Sequence, residues 1–338
     1  MGKRKGKGLF GTLLVGLMAV GFVGTAHAGS VIVNTDYVLK NKDKAGTILL
    51  DARAEDGYKK GHIPGAINLG GKGASKVLRD VDARILPTAK LEKILGDAGI
   101  TREAEIIVYS IKGDPSATVP FWILEYLGAE KAKVYMGGID DWATAKHPLA
   151  ADVKKLPAAK FTAKVRADRL ATTDYVKKNL KNKEVQILDV RTTKEFSGDD
   201  IRALRGGHIA GSVNIPYEQA WVDPEAAKKL GAGQAKDRHG MALKDDKGLA
   251  AIYKAFDPKK EVVALCQTGT RSTLTYAVLR DMGYTKVRNY DDSWIVWGSN
   301  LDLPVANTSY FDFVKVNAAM KKLDALEQRI QALEPKKK

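Results

Sequence analysis

The chain repeats itself, and the repeat limits what it can fold into. Ile48-Leu49-Leu50-Asp51-Ala52-Arg53 is a short apolar run ending in Asp-x-Arg, and Ile187-Leu188-Asp189-Val190-Arg191 restates it. Gly61-His62-Ile63-Pro64-Gly65-Ala66-Ile67-Asn68 is answered by Gly207-His208-Ile209-Ala210-Gly211-Ser212-Val213-Asn214, with the two histidines 146 residues apart. Glu105-Ile106-Ile107-Val108-Tyr109-Ser110 followed by Gly113 matches Glu261-Val262-Val263-Ala264-Leu265-Cys266 followed by Gly269. Val134-Tyr135-Met136-Gly137-Gly138 with Trp142 stands beside Val287-Arg288-Asn289-Tyr290 with Trp297. Four pieces in one order mark a duplication, so one copy's fold predicts the other's. A length of 338 residues leaves room for two such domains.

Between the apolar runs, helical stretches are expected at 89–97, 118–127, 174–179 and 272–282, several closed by a glycine such as Gly99, Gly128 or Gly283. Strands alternating with helices imply α/β domains, each a mostly parallel sheet flanked by helices. The expected division is a first domain at 29–160 and a second at 165–308, with 154–164 as linker. In such sheets ligands bind where the strands end at their carboxyl side. The tail, 309–338, is different. Val316, Ala319, Leu323, Leu326, Ile330 and Leu333 follow 3,4 spacing among charged residues, which predicts an amphipathic C-terminal helix ended by Pro335. Residues 311–334 are thus a candidate for self-association as well as for packing on their own domain.

The first 28 residues read as a signal peptide. Lys3, Arg4, Lys5 and Lys7 precede an apolar stretch over 9–24, and Ala26-His27-Ala28 offers small residues for cleavage after Ala28. Sixteen residues containing several glycines fall short of the ~20 that span a bilayer, so no stable membrane insertion is expected after cleavage. No cysteine follows that could carry a lipid, and the expected location is periplasmic. Cleavage removes four cations from the formal +15. What remains fits a solvated basic surface or anionic small molecules better than nucleic acid.

One cysteine, Cys266, excludes a disulfide framework, a Cys-x-x-Cys pair and a cysteine-rich zinc site, and the remaining histidines have no ligand-like spacing. No metal is expected. Cys266 begins Cys266-Gln267-Thr268-Gly269-Thr270-Arg271-Ser272, where a strand runs through a glycine-bearing loop into a helix. Such a loop turns successive N–H groups inward, and the helix start adds roughly half a positive charge. Arg271 supplies a full cation. Together they favour the thiolate, the nucleophilic form. Gly269 lets the loop turn sharply. His62 and His208 recur in both copies and read as structural hydrogen-bonding residues. Asp189 and Arg191, which also recur, read as an ion pair supporting the strand-end loops. Trp142, at the matching place, favours packing over cleft lining for Trp294 and Trp297.

In order and duplication, Asp-x-Arg, Gly-His-Ile-x-Gly-Ser-x-Asn, Cys-x-x-Gly-x-Arg-Ser and Tyr-Asp-x-Ser-Trp-x-x-Trp resemble the tandem-domain rhodaneses, or thiosulfate sulfurtransferases, over nearly all of 31–305. The resemblance implies two tandem rhodanese-like domains and ping-pong sulfur transfer with Cys266 as catalytic residue. A small anionic donor such as thiosulfate would leave its sulfane sulfur as a Cys266 persulfide, which a thiol or cyanide would then accept. Residues Gln267, Thr268, Gly269, Thr270, Arg271 and Ser272 would bind the substrate. The covalent persulfide would be the only intermediate, with no separate cofactor.

The first copy lacks the chemistry. Ser110 stands for the cysteine and Asp114-Pro115-Ser116 for Thr270-Arg271-Ser272, so 29–160 is expected to be catalytically silent. Within the second copy, Gln267-Thr268 departs from the residues that two-domain relatives carry after the cysteine. Glu195 stands where they carry a substrate-binding arginine, so a carboxylate facing the cleft would repel an anionic donor there, with Lys194 or Arg202 as substitutes. Some proteins of this fold hydrolyse phosphate esters, but they need Cys-x5-Arg; here Arg271 gives Cys-x4-Arg, a loop sized for sulfur. A persulfide carrier without rapid turnover is the alternative to an enzyme.

Overall fold

The computed structural model describes Gly2 and residues 30–333, with side chains described through Ile330. The signal expected at 1–28 lies, apart from Gly2, outside the described residues.

Each apolar run of the repeat becomes a strand. The first copy holds β1 (Ile32–Val33), β2 (Thr47–Asp51), β3 (Ile67–Asn68), β4 (Glu105–Tyr109) and β5 (Lys133–Tyr135). The second holds β6 (Leu170–Ala171), β7 (Val185–Asp189), β8 (Arg205–Ile209), β9 (Val213–Asn214), β10 (Glu261–Leu265), β11 (Val287–Tyr290) and β12 (Val305–Tyr310). The two sheets have the same parallel order, β1-β5-β4-β2-β3 and β6-β11-β10-β7-β9. Their central strands, β4 and β10, are buried after the first residue, as expected for strands covered on both faces. Register carries the duplication to single residues: Tyr135 pairs with Val33 as Tyr290 pairs with Ala171. β8 and β12 form a separate antiparallel ribbon, which the first copy reduces to a single antiparallel bridge between His62 and Ala150, matching the His208–Ala306 pair.

Helices begin where the sequence supplies caps. Asn34 accepts from the Tyr37 amide at 3.0 Å and Thr172 from that of Tyr175 at 3.1 Å, starting helices Thr35–Asn41 and Thr173–Asn179 at matching places. Helices Thr118–Tyr126 and Arg271–Asp281 follow β4 and β10. They are buried on nearly every side, because each lies between its own sheet and the other copy. Thr118 and Thr273 hydroxyls meet at 2.8 Å, and Glu125 accepts from Tyr276 at 2.6 Å and from Arg280 at 3.1 and 3.2 Å. One apolar cluster runs from Leu50 through Phe121 and Trp122 to Leu274 and Val278, so the two sheets share a core. Two smaller clusters sit on the outer faces, around Trp142 and around Trp294 and Trp297.

The linker runs along the first copy: the Ala159 amide donates to Gly96 and that of Lys164 to Leu127, each at 2.9 Å. β12 carries the second copy's pairing to Tyr310, two residues past the expected boundary at 308. The tail helix, Phe313–Leu333, starts after Asp312, whose carboxylate accepts the Lys315 amide at 3.0 Å. Among the described residues no helix is long and apolar enough to cross a membrane.

Candidate active site at the second strand-end loop

Cys266 follows directly on β10 and is fully buried. Burial by itself pushes the thiol up. The Arg271 charge, the Ser272 amide and hydroxyl, and the Thr268 amide pull the other way and leave it below its ordinary value. The Ser272 hydroxyl lies 3.6 Å from Sγ and donates to Asn289 Oδ1 at 2.6 Å, while Asn289 Nδ2 holds the Gly269 carbonyl at 3.1 Å. These contacts fix the loop as a cradle whose N–H groups face the sulfur. Gly269 has φ +68, and a Cβ there would come within 2.6 Å of the Asp291 carbonyl. No residue with a side chain fits.

Ser293 clamps the same loop from below. Its hydroxyl accepts from the amides of Cys266 at 3.1 Å and Gly269 at 3.0 Å and donates to the Tyr290 carbonyl at 2.6 Å. Ser293 has φ +51, in the left-handed region that disfavours side chains, and the first copy places Gly138 there at φ +56. A serine kept in a glycine's conformation marks the site, since the strain persists where the hydroxyl has work to do. In the sequence it stands only as the serine of Tyr-Asp-x-Ser-Trp, with nothing to say that its hydroxyl turns back to the loop.

A second residue escaped the sequence reading because it comes from the other copy. Arg79, almost fully buried, reaches across to the loop: it donates to Thr268 O at 3.3 Å and to Thr270 Oγ1 at 2.9 Å, and pairs with Asp291. Asp291 also accepts the Ile85 amide at 2.7 Å. Burial pushes its carboxyl up, and Arg79 pulls it back in part.

The condition under which Glu195 would repel an anionic donor, a carboxylate facing the cleft, is not met: Glu195 is buried and closes a capping box with Thr192 at the start of helix Thr193–Ser197. Both its oxygens take Arg271, at 2.8 Å each, and Arg202 adds a third contact at 3.1 Å. Although burial opposes its charge, Arg271 and the Thr192 donors hold its carboxyl at about 2. Glu195 therefore orients the loop cation, and Arg202 serves Glu195. Lys194 makes no side-chain ion pair among the described contacts.

Asp189 and Arg191 lie beside this pair at the end of β7. Arg191 binds Asp189 at 2.7 Å, donates to the carbonyls of Glu195 at 3.2 Å and Gly207 at 2.8 Å, and stacks 4.2 Å over the Trp294 ring. The Gln267 side chain turns away from the sulfur to the Arg202 carbonyl at 2.6 Å. His208 Nδ1 meets the Phe196 carbonyl at 2.9 Å while its ring stacks on Phe196; His62 does the same with Tyr58. Trp294 and Trp297 are fully buried core residues. Tyr217 and Glu218 complete the surroundings. Burial raises the Glu218 carboxyl, with Arg271 opposing, and its Oε2 has no partner. Two cavities share Lys76 and Thr270 in their walls: one of about 830 Å³ borders the cysteine loop at Thr268 and Thr270, with Arg84 and Asp82, and the other, of about 460 Å³, lies against the first copy's loop at Ser110, Asp114 and Ser116, with Arg53 and Lys72.

Residues 34–145 and 172–300 each match the Rhodanese-like domain family. A thiosulfate sulfurtransferase of Azotobacter vinelandii is 30% identical over 258 residues, 76% of this chain and 90% of that protein. One of Pseudomonas aeruginosa is 29% identical over the same shares. Among solved structures, a 3-mercaptopyruvate sulfotransferase of Escherichia coli superposes with a TM-score of 0.65 at 23% identity, over 78% of this chain and 99% of that one. An anaerobic ergothioneine biosynthesis enzyme from Chlorobium limicola gives 0.68 at 21% identity, over 81% and 69%.

Proposed function

This chain belongs to the rhodanese family, and on that premise we propose that it is a sulfurtransferase in which Cys266 carries the sulfur and thiosulfate is the donor. The observation that carries the reading is the thiol held below its ordinary value inside a loop of amides, with Arg271 alongside and no second cysteine in the chain. The 30%-identical thiosulfate sulfurtransferase supports the choice of donor.

The Cys266 thiolate attacks the outer sulfur of thiosulfate. A sulfur–sulfur bond forms to the protein, the donor's own sulfur–sulfur bond breaks, and its electron pair leaves on sulfite. The terminal sulfur of the persulfide then carries the charge that the thiolate carried. The Thr268 and Ser272 amides, already aimed at Sγ, stabilise that charge as oxyanion-hole donors do elsewhere. Cyanide or a thiol takes the outer sulfur and returns the Cys266 thiolate. Glu195 keeps Arg271 pointed at the loop through both half-reactions. The Lys76 and Arg84 side chains around the cavity that borders the cysteine loop suit an anionic donor.

The test is an intact mass after incubation with thiosulfate, followed by cyanide. The expected result is a gain of one sulfur on the wild type and none on Cys266→Ala, then release of thiocyanate with recovery of the starting mass. Loading from mercaptopyruvate or polysulfide but not thiosulfate would reassign the donor. Loading without release would make the protein a sulfur carrier, and no loading from any of the three would refute sulfur transfer.

A further inference from the structure

The tail helix Phe313–Leu333 stands apart from the rest of the molecule. Every described side chain from residue 317 to 330 is exposed, including Met320, Leu323, Leu326 and Ile330 at more than half of their full surface. A helix of 21 residues gains little from its own hydrogen bonds in water and draws its stability from burying an apolar face. That face is a regular seam. Val316, Leu323 and Ile330 occupy the a positions of three heptads, and Ala319, Leu326 and Leu333 the d positions.

The charges beside the seam identify what covers it. Lys315, Lys322 and Arg329 fill the g positions, and Met320, Glu327 and Glu334 the e positions. In a parallel pair, each g residue faces the e residue of the next heptad on the partner, which sets Lys322 against Glu327. An antiparallel pair would set the basic g rows against each other and the acidic e residues against each other. β-branched Val316 and Ile330 at a with leucine at two of the three d positions favour two strands over three or four.

We propose that residues 313–333 form a parallel, in-register, two-stranded coiled coil with a second copy of this chain. The helix supplies both halves of its own charge complement, so the partner needs no chemistry that the chain lacks. Because β12 joins this helix to β8, and β8 begins three residues after Arg202, the coil tethers two second-copy domains by the ribbon next to their cysteine loops.

Sedimentation equilibrium of the mature chain over a wide concentration range is expected to show a dimer. Leu323→Asp with Leu326→Asp should give a monomer that still loads sulfur. Lys322→Glu should weaken the dimer several-fold in Kd, and adding Glu327→Lys should restore it. In a Cys266→Ser background, Ala319→Cys should cross-link two copies under mild oxidation, because only a parallel pair brings the two 319 positions together. A wild type that stays monomeric or forms trimers, a dimer that survives the two aspartates, or one that Ala319→Cys does not cross-link would overturn the proposal.

Discussion

Residues 110–116 and 266–272 are the same loop built twice. Each follows a central strand, has its glycine at the fourth place with φ +72 or +68, and ends on a serine that reaches back to the first residue: Ser116 to Ser110 at 2.7 Å, Ser272 to Cys266 at 3.6 Å. The tie to the next helix is also shared, since Ile139 donates to Ser110 O at 2.9 Å and Trp294 to Cys266 O at 3.0 Å. The differences lie in what can face a charged sulfur. Pro115 has no N–H to give where Arg271 stands, Asp114 puts a carboxylate beside the loop, and Gly138 offers no hydroxyl in place of Ser293. The backbone path is thus a property of the fold, and the chemistry is a property of a few side chains laid over it.

The sharpest way to break that comparison is to move the nucleophile. In a Cys266→Ala background, Ser110→Cys should load sulfur at least ~10²-fold more slowly than the wild type, the scale on which oriented donors act. Intact mass against time reads the rate. Loading at the wild-type rate would mean that the loop contributes nothing beyond its thiol.

The next largest effect concerns how one copy serves the other. Arg79 crosses to the second loop, whereas over the first loop Gly113 is covered by Met241 and Trp221 from the second copy. The two coverings are reciprocal in place and differ in kind: a guanidinium lies against Gly269, and the Met241 backbone and side chain with the Trp221 indole lie against Gly113. Arg79→Met leaves Asp291 buried without its cation and should cost about 3–5 kcal/mol of unfolding free energy at neutral pH. Burial already pushes the Asp291 carboxyl up, and removing Arg79 pushes it further, so protonation relieves the variant first: the penalty should shrink as pH falls. Urea unfolding at several pH values measures both. A loss below about 1 kcal/mol would show that the active loop does not depend on its neighbour.

How much of this was legible beforehand follows from range. Strands β2, β4, β5, β7, β10 and β11, the helices at 118–127 and 272–282, and the cysteine loop stood in the sequence because local periodicity, glycine placement and the repeat all concern neighbours along the chain. Arg79 did not, because the contact spans more than a hundred residues and a lone arginine after Ala74–Val77 carries no pattern. Glu195 was visible but its direction was not: spacing shows that a carboxylate is near, and only the fold shows that it turns toward Arg271 rather than into the cleft. The charge order of the tail was readable throughout, yet its use depends on the exposure that the fold reveals.

Ser293→Gly makes the finest cut, since it gives the second copy the residue that the first copy has in the same conformation. Two terms oppose each other in stability. Glycine relieves the left-handed strain, worth roughly 1–2 kcal/mol, and loses the acceptor for two amides and the donor to the Tyr290 carbonyl, worth about 1 kcal/mol each. Unfolding free energy should therefore fall by no more than about 1–2 kcal/mol. The thiol should respond instead, because the Cys266 and Gly269 amides lose the hydroxyl that fixes their direction. Alkylation of Cys266 by iodoacetamide at mildly acidic pH should slow by up to about tenfold, with the midpoint of the rate–pH curve displaced upward. Ser293→Ala keeps the strain and loses the acceptor, so it should show the same displacement together with a stability loss of about 1–3 kcal/mol. The pair of variants separates conformation from hydrogen bonding. If Ser293→Gly leaves the rate–pH curve in place, the clamp does not set the thiol, and the two loops differ in chemistry only through Cys266, Arg271 and the residues that hold Arg271.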